Sequence, residues 1–109
     1  MDLFTRLANP PLPTVDVATA HARPPGAVLL DVREPGEWAS GHAPGAHHRP
    51  LSRFDPSGLP AGATVYVICR SGNRSAHVTR ALADAGVDAR NVAGGMNAWV
   101  QAGLPVERG

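Results

Sequence analysis

The chain has one cysteine, Cys69, which ends the apolar run Val65-Tyr66-Val67-Ile68 and opens the loop Arg70-Ser71-Gly72-Asn73-Arg74-Ser75. A thiol reacts as its thiolate, and thiolates are favoured where cations and the unpaired N–H groups of a helix start surround the sulfur. This loop supplies both. The N–H groups of Ser71 to Ser75 precede an amphipathic helical pattern and can converge on a central anion. Gly72 permits backbone conformations that a Cβ forbids, and Arg70 and Arg74 add positive charge. Together these features are expected to bring the Cys69 pKa from about 8.5 into a range of about 3.5–7.5. They would also attract an anionic substrate. A lone cysteine at a strand end is often inert packing, but six residues with two Arg, two Ser, one Asn and one Gly are poor core material. The loop favours a nucleophile.

The elements that must position this loop follow from periodicity and punctuation. Thr64 to Cys69 is apolar on both faces, the pattern of a central parallel strand. From Ser75 the apolar positions Val78, Ala81, Leu82 and Ala85 mark one helix face, and Gly86 ends the helix. Upstream, Val15 fits a short strand, Asp16 caps a helix running to Ala22, and Ala27–Val32 is a clear strand. A short helix begins near Pro35 with acids in its first turn. His47-His48 fits a short strand, residues 51–63 leave room for one helical turn, and Ala89–Ala93 reads as a fifth strand. After the break at Gly94-Gly95, Met96 to Ala102 forms a last helix. Alternating short strands and helices predict an α/β domain with a mainly parallel five-stranded sheet and helices on both faces. Ligands in such sheets bind beyond the strand C-termini, where Cys69 stands.

At 109 residues the chain fits one domain. Residues 1–13, ending in Asn9-Pro10-Pro11-Leu12-Pro13, are expected to be an extended tail before a domain over residues 14–107. The net charge of +1 argues against nucleic acid as a partner, and all ten basic residues are Arg. With one cysteine no intrachain disulfide can form. No apolar run reaches the roughly 20 residues of a membrane span, and the N-terminus lacks a secretory h-region. A soluble cytoplasmic protein is expected, in a compartment that keeps a reactive thiol reduced.

Other residues invite chemical and structural readings side by side. Asp31 and Arg33 leave the end of a neighbouring strand within reach of the Cys69 loop. Asp31 fits either an orienting role for that loop or a structural salt bridge; Arg33 is expected to be structural, pairing with Glu34 or Glu37. Ser71 and Ser75 can donate hydroxyl hydrogen bonds to a substrate, with Ser75 also a candidate helix cap. Asn73 suits a left-handed turn position. His47 and His48 are adjacent in a strand and point to opposite faces, which argues against a shared metal. His42 is expected to make a structural hydrogen bond, and His77 to face solvent. Trp38 and Trp99 are expected to anchor the core, and Gly94-Gly95 to be a turn rather than a dinucleotide fingerprint.

The segment Cys69-Arg70-Ser71-Gly72-Asn73-Arg74-Ser75 resembles the active-site loop of the rhodanese family, the thiosulfate and persulfide sulfurtransferases. Two further stretches resemble the family's terminal signatures: Leu30-Asp31-Val32-Arg33-Glu34-Pro35-Gly36-Glu37-Trp38 with Gly41-His42-Ala43-Pro44-Gly45-Ala46, and Gly94-Gly95-Met96-Asn97-Ala98-Trp99 with Gly103-Leu104-Pro105-Val106. The resemblance spans Thr14 to Val106. It implies a single rhodanese-like domain in which Cys69 takes the outer sulfur of thiosulfate or another persulfide donor. The resulting persulfide then passes its sulfur to cyanide or a thiol, or to a sulfur-relay protein. Arg70 to Ser75 would bind the substrate, with Asp31 and Arg33 in support, and no metal or organic cofactor is implied. Two alternatives share the fold. One is phosphatase or arsenate reductase chemistry, whose loop places five residues between Cys and Arg; here four separate Cys69 from Arg74, Ser75 stands where that Arg would be, and Ile68 precedes the cysteine. The other is a non-catalytic binding module, which would typically lack the nucleophile kept here.

Overall fold

Side chains alternate along two central strands and divide the apolar residues between two helical layers. In the computed structural model, which describes residues 11–109, these strands are β2 (Val28–Asp31) and β4 (Thr64–Ile68). Leu29, Tyr66 and Ile68 face one side, where they pack with Val17 and Ala20 of α1 (Val17–His21) and Met96 and Trp99 of α4 (Gly95–Gln101). Val28, Leu30, Val65 and Val67 face the other, against Val78 and Leu82 of α3 (Asn73–Asp84). Burying each Leu, Ile or Val in these layers contributes about 1.5–3 kcal/mol. The helix α2 (Pro35–Ser40) lies beyond the end of β2 and buries no residue fully.

The strands β1 (Thr14–Val15), β3 (His47–His48) and β5 (Asp88–Val92) complete a five-stranded, wholly parallel sheet in the order β1-β5-β4-β2-β3. The α/β class, the strand number and the helices on both faces match the sequence expectation. Most of the tail expected over residues 1–13 lies outside the described residues. Among the described residues no helix is long and apolar enough to cross a membrane.

Register sets the site. Asp31 pairs with Ile68, so β2 and β4 end level, and the Val32 N–H donates to the Ile68 carbonyl at 3.0 Å. The loops after both strands therefore leave the sheet side by side. Two local expectations change. The helix α3 begins at Asn73 rather than Ser75, because Gly72 takes the left-handed turn (φ 107°) and serves as its N-cap. Asn73, expected at a left-handed position, is helical instead.

Candidate active site

Cys69 stands one residue past β4, its side chain buried with the layer under α3. Four hydrogen bonds form a closed ring around its sulfur. The Gly72 N–H donates to Cys69 Sγ at 3.1 Å, and the Ser75 hydroxyl lies 3.2 Å from the same sulfur. That hydroxyl donates to Asn91 Oδ1 at 2.6 Å, and Asn91 Nδ2 donates to the Gly72 carbonyl at 3.2 Å. The ring joins the Cys69 loop, the first turn of α3 and the strand β5. Ser75 is thus committed to the sulfur and Asn91; it does not cap α3.

Burial pushes the Cys69 thiol up, since a charge is costly away from water. Hydrogen bonding from the Ser75 hydroxyl and from the N–H groups of Ser75, Gly72 and Ser71 outweighs it, and the pKa falls below the ordinary thiol value. The Ser75 hydroxyl is the leading lowering cause, ahead of these N–H groups and of the arginines.

Arg74 reaches away from the loop to Glu37 of α2, in a two-bond ion pair of 2.6 and 2.8 Å. The guanidinium holds the Glu37 carboxyl down from its ordinary 4.5 to about 2, against the opposing effect of burial. The same bond raises Arg74 above its own usual range. Glu37 Oε1 also accepts the Glu34 N–H at 3.1 Å, completing a capping box at the start of α2. Arg70, Ser71 and Asn73 are exposed, and Arg70 has no carboxylate partner among the described residues.

Arg33, expected to pair with Glu34 or Glu37, binds Asp31 instead. Its Nε lies 3.0 and 3.1 Å from the two Asp31 oxygens, and its Nη2 is 2.8 Å from Oδ2. Both side chains are buried, where a charge persists only when paired. Remaining Arg33 donors reach the carbonyls of Gly41 (2.7 Å) and Glu37 (3.2 Å). Asp31 therefore acts through Arg33, which braces the helix carrying Glu37, and makes no hydrogen bond to the Cys69 loop.

Three residues at the site lack a sequence signal for their place there. Asn91 reads in the sequence as one polar residue in a short strand, and nothing local marks it. Glu37 reads only as an acid in a first turn; its spacing from Glu34 signals a cap and not its link to Arg74. Gly95 reads as part of a turn. Its φ is +54°, and a Cβ there would land on the Cys69 carbonyl oxygen and within 2.7 Å of the Arg70 carbonyl. That close approach lets the Met96 and Asn97 N–H groups bind the Cys69 and Arg70 carbonyls at 2.8 and 3.0 Å. The start of α4 thereby fixes the back of the loop.

Trp38, expected in the core, is half-buried between two histidine rings. His42 stacks on one face at 3.6 Å and His48 on the other at 4.6 Å. His42 Nδ1 bonds the Trp38 carbonyl at 2.9 Å, and His48 Nε2 donates to the Arg33 carbonyl at 2.7 Å. Trp99 is fully buried, as expected, and His77 is exposed. A groove of about 840 Å³ borders the loop at Arg70 and runs along α4; Cys69 is not in its wall.

The chain belongs to the rhodanese-like domain family, whose model matches residues 14–102. It is 46% identical over 81 residues to an uncharacterized protein of Synechocystis, covering 72% of this chain and 45% of that one. It is 33% identical over 110 residues to a chloroplastic thiosulfate sulfurtransferase of Arabidopsis thaliana, covering 86% of this chain and 92% of that protein. Among solved structures, a rhodanese-related protein from Thermoplasma volcanium superposes with a TM-score of 0.80 at 30% identity, covering 87% of this chain and 97% of that one. The chain thus spans less than half of the Synechocystis relative and nearly all of the Arabidopsis one.

Proposed function

We propose that this protein is a sulfurtransferase that carries sulfane sulfur on Cys69. Membership of the rhodanese-like family and relatives named as sulfurtransferases support transfer of sulfur in general. The observation that carries the reading for this chain is the ring around Cys69, in which backbone and hydroxyl donors hold the thiol below its ordinary pKa. With thiosulfate as donor, the Cys69 thiolate attacks the outer sulfur. A new S–S bond forms, the S–S bond of thiosulfate breaks, and its electron pair leaves with sulfite. Negative charge then rests on the outer persulfide sulfur, where the N–H groups of Ser71 to Ser75 act as an oxyanion hole does for oxygen. An acceptor thiolate or cyanide attacks that sulfur, and the electron pair of the broken bond returns to Cys69.

Arg70 is the loop cation left to meet the anionic donor, because Arg74 shares its charge with Glu37. Asn73 and Ser71, both exposed, stand beside it. This chemistry calls on no metal or organic cofactor, and a reducing compartment such as the cytoplasm would keep the thiol competent. Phosphoryl or arsenate chemistry is disfavoured by the four-residue spacing from Cys69 to Arg74 and by the engagement of Arg74 with Glu37. The test is the intact mass of wild type and Cys69→Ser after thiosulfate, before and after a reductant. Gain of one sulfur atom that is reversible and absent from the variant is expected. Failure of the fully reduced protein to gain sulfur from thiosulfate or from a persulfide donor would overturn the reading. Hydrolysis of an aryl phosphate that depends on Cys69 would replace it.

A further inference from the structure

The groove that meets the Cys69 loop at Arg70 is far larger than the small sulfur donor requires, and its walls have a distinct chemistry. Its floor is the outer face of α4, with Met96 buried at the loop end and Val100 60% exposed further along. The C-terminal segment also lines it, with Val106 41% exposed. The described residues include three exposed large hydrophobic side chains, and two of them lie here. The charges are asymmetric as well. Arg33 is neutralised by Asp31 and Glu37 by Arg74. Arg70 of the loop and Arg108 of the C-terminal segment, both lining the groove, have no carboxylate partner among the described residues.

We infer that this groove receives an acidic, apolar-spaced segment of a protein partner whose cysteine exchanges sulfur with Cys69. The inference rests on the sulfur-transfer reading above and names its protein substrate. A small thiol would be poorly enclosed here, since small-molecule sites bury about 70–90% of their ligand and this trough leaves Val100 open. An extended chain covers both valines while its carboxylates reach Arg70 and Arg108. Its cysteine is then presented over Arg70, the residue next to the nucleophile. The partner's thiolate attacks the outer sulfur of the Cys69 persulfide; the new S–S bond forms as the old one breaks, and the pair of electrons returns to Cys69. The partner leaves as the persulfide.

The experiment uses two synthetic ten-residue peptides, each with one cysteine and the same leucines, one flanked by glutamates and one by lysines. Sulfur transfer to each peptide is divided by the same protein's transfer to cyanide, so a general loss of persulfide chemistry cancels. The acidic peptide is expected to exceed the basic one by about tenfold at low salt, narrowing as salt rises. Arg108→Glu should erase or invert that preference, and Val100→Asp should weaken both peptides. A parallel measurement uses serine-for-cysteine peptides and the Cys69→Ser protein, following binding by fluorescence anisotropy. It reads the groove with no chemistry, so a failed sulfur-transfer reading and a failed groove give different results. Equal ratios for the two peptides, or a preference unmoved by Arg108→Glu, would overturn the inference.

Discussion

Replacing Asn91 by alanine is expected to lower the pKa of Cys69, although the amide makes no contact with the sulfur. The Ser75 hydroxyl has one proton and two acceptors in reach, Asn91 Oδ1 at 2.6 Å and Cys69 Sγ at 3.2 Å. While Cys69 is a thiol there is no conflict, because S–H donates to Ser75 and Ser75 donates to Asn91. Ionisation turns the sulfur into an acceptor, and both acceptors then need the same proton. The amide cannot turn over to relieve this, since its Nδ2 is held by the Gly72 carbonyl. A buried acceptor left without a donor costs about 1–3 kcal/mol. That competition disfavours the thiolate by the same amount and keeps the thiol pKa above what an undivided Ser75 would give.

Asn91→Ala removes the competitor but also the bond to Gly72, worth about 1 kcal/mol, which loosens the N–H on the sulfur and acts in the opposite direction. The net expectation is a fall in the thiol pKa, set by a competition of about 1–3 kcal/mol less about 1 kcal/mol for the lost bond. In a Ser75→Ala background there is no shared proton, and Asn91→Ala should leave the pKa unchanged or raise it. The coupling between the two substitutions isolates the effect. The charged and titratable groups of the loop and of the elements packed around it are Arg70 and Arg74, Glu37 of α2, the Asp31–Arg33 pair after β2 and the exposed His77 of α3. They are the same in all four proteins and cancel. The assay is the pH dependence of alkylation by a small haloacetamide, over the range in which circular dichroism shows each variant folded. A fall of the same size in both backgrounds, or a rise with Ser75 present, would refute the reasoning.

Two other outcomes follow from the same geometry. Glu37→Gln leaves Arg74 uncompensated and should lower the Cys69 pKa, modestly because the pair is partly exposed to solvent. The Glu37 carboxyl is held down in the fold, so its contribution to stability is complete above about 4.5 and disappears as pH falls towards about 2. Urea melts of wild type and Glu37→Gln at a series of pH values should converge in that window; parallel curves would show that the pair adds nothing. Gly95→Ala forces a left-handed residue and a Cβ onto the Cys69 and Arg70 carbonyls. A loss of about 3 kcal/mol is expected from the two effects together, read as a drop in the urea midpoint at unchanged slope, and an unshifted midpoint would contradict the close approach.

Much of the fold, and the position of the candidate nucleophile, were legible in the sequence. The apolar runs at Val28–Leu30 and Val65–Ile68 read as strands, the second, apolar on both faces, as a central parallel one. The period of Val78 and Leu82 places a helix behind them, and a lone cysteine at the end of such a strand, followed by glycine and arginines, marks the reactive loop. These signals are local, because periodicity and turn chemistry act over a few residues. The polar partners were not legible. The pairing of Arg74 with Glu37 spans 37 positions, and that of Ser75 with Asn91 spans 16. Arg33 has acids at Asp31, Glu34 and Glu37 within four residues, and spacing gives no preference among them. A hydrogen bond depends on ångström distances that arise only when separate elements pack. The sequence by itself thus determined which residue is the candidate nucleophile and which sheet carries it. Tertiary structure alone decided which side chains set its proton, because β5, α2 and α4 reach the Cys69 loop only after the sheet has brought the strand ends level.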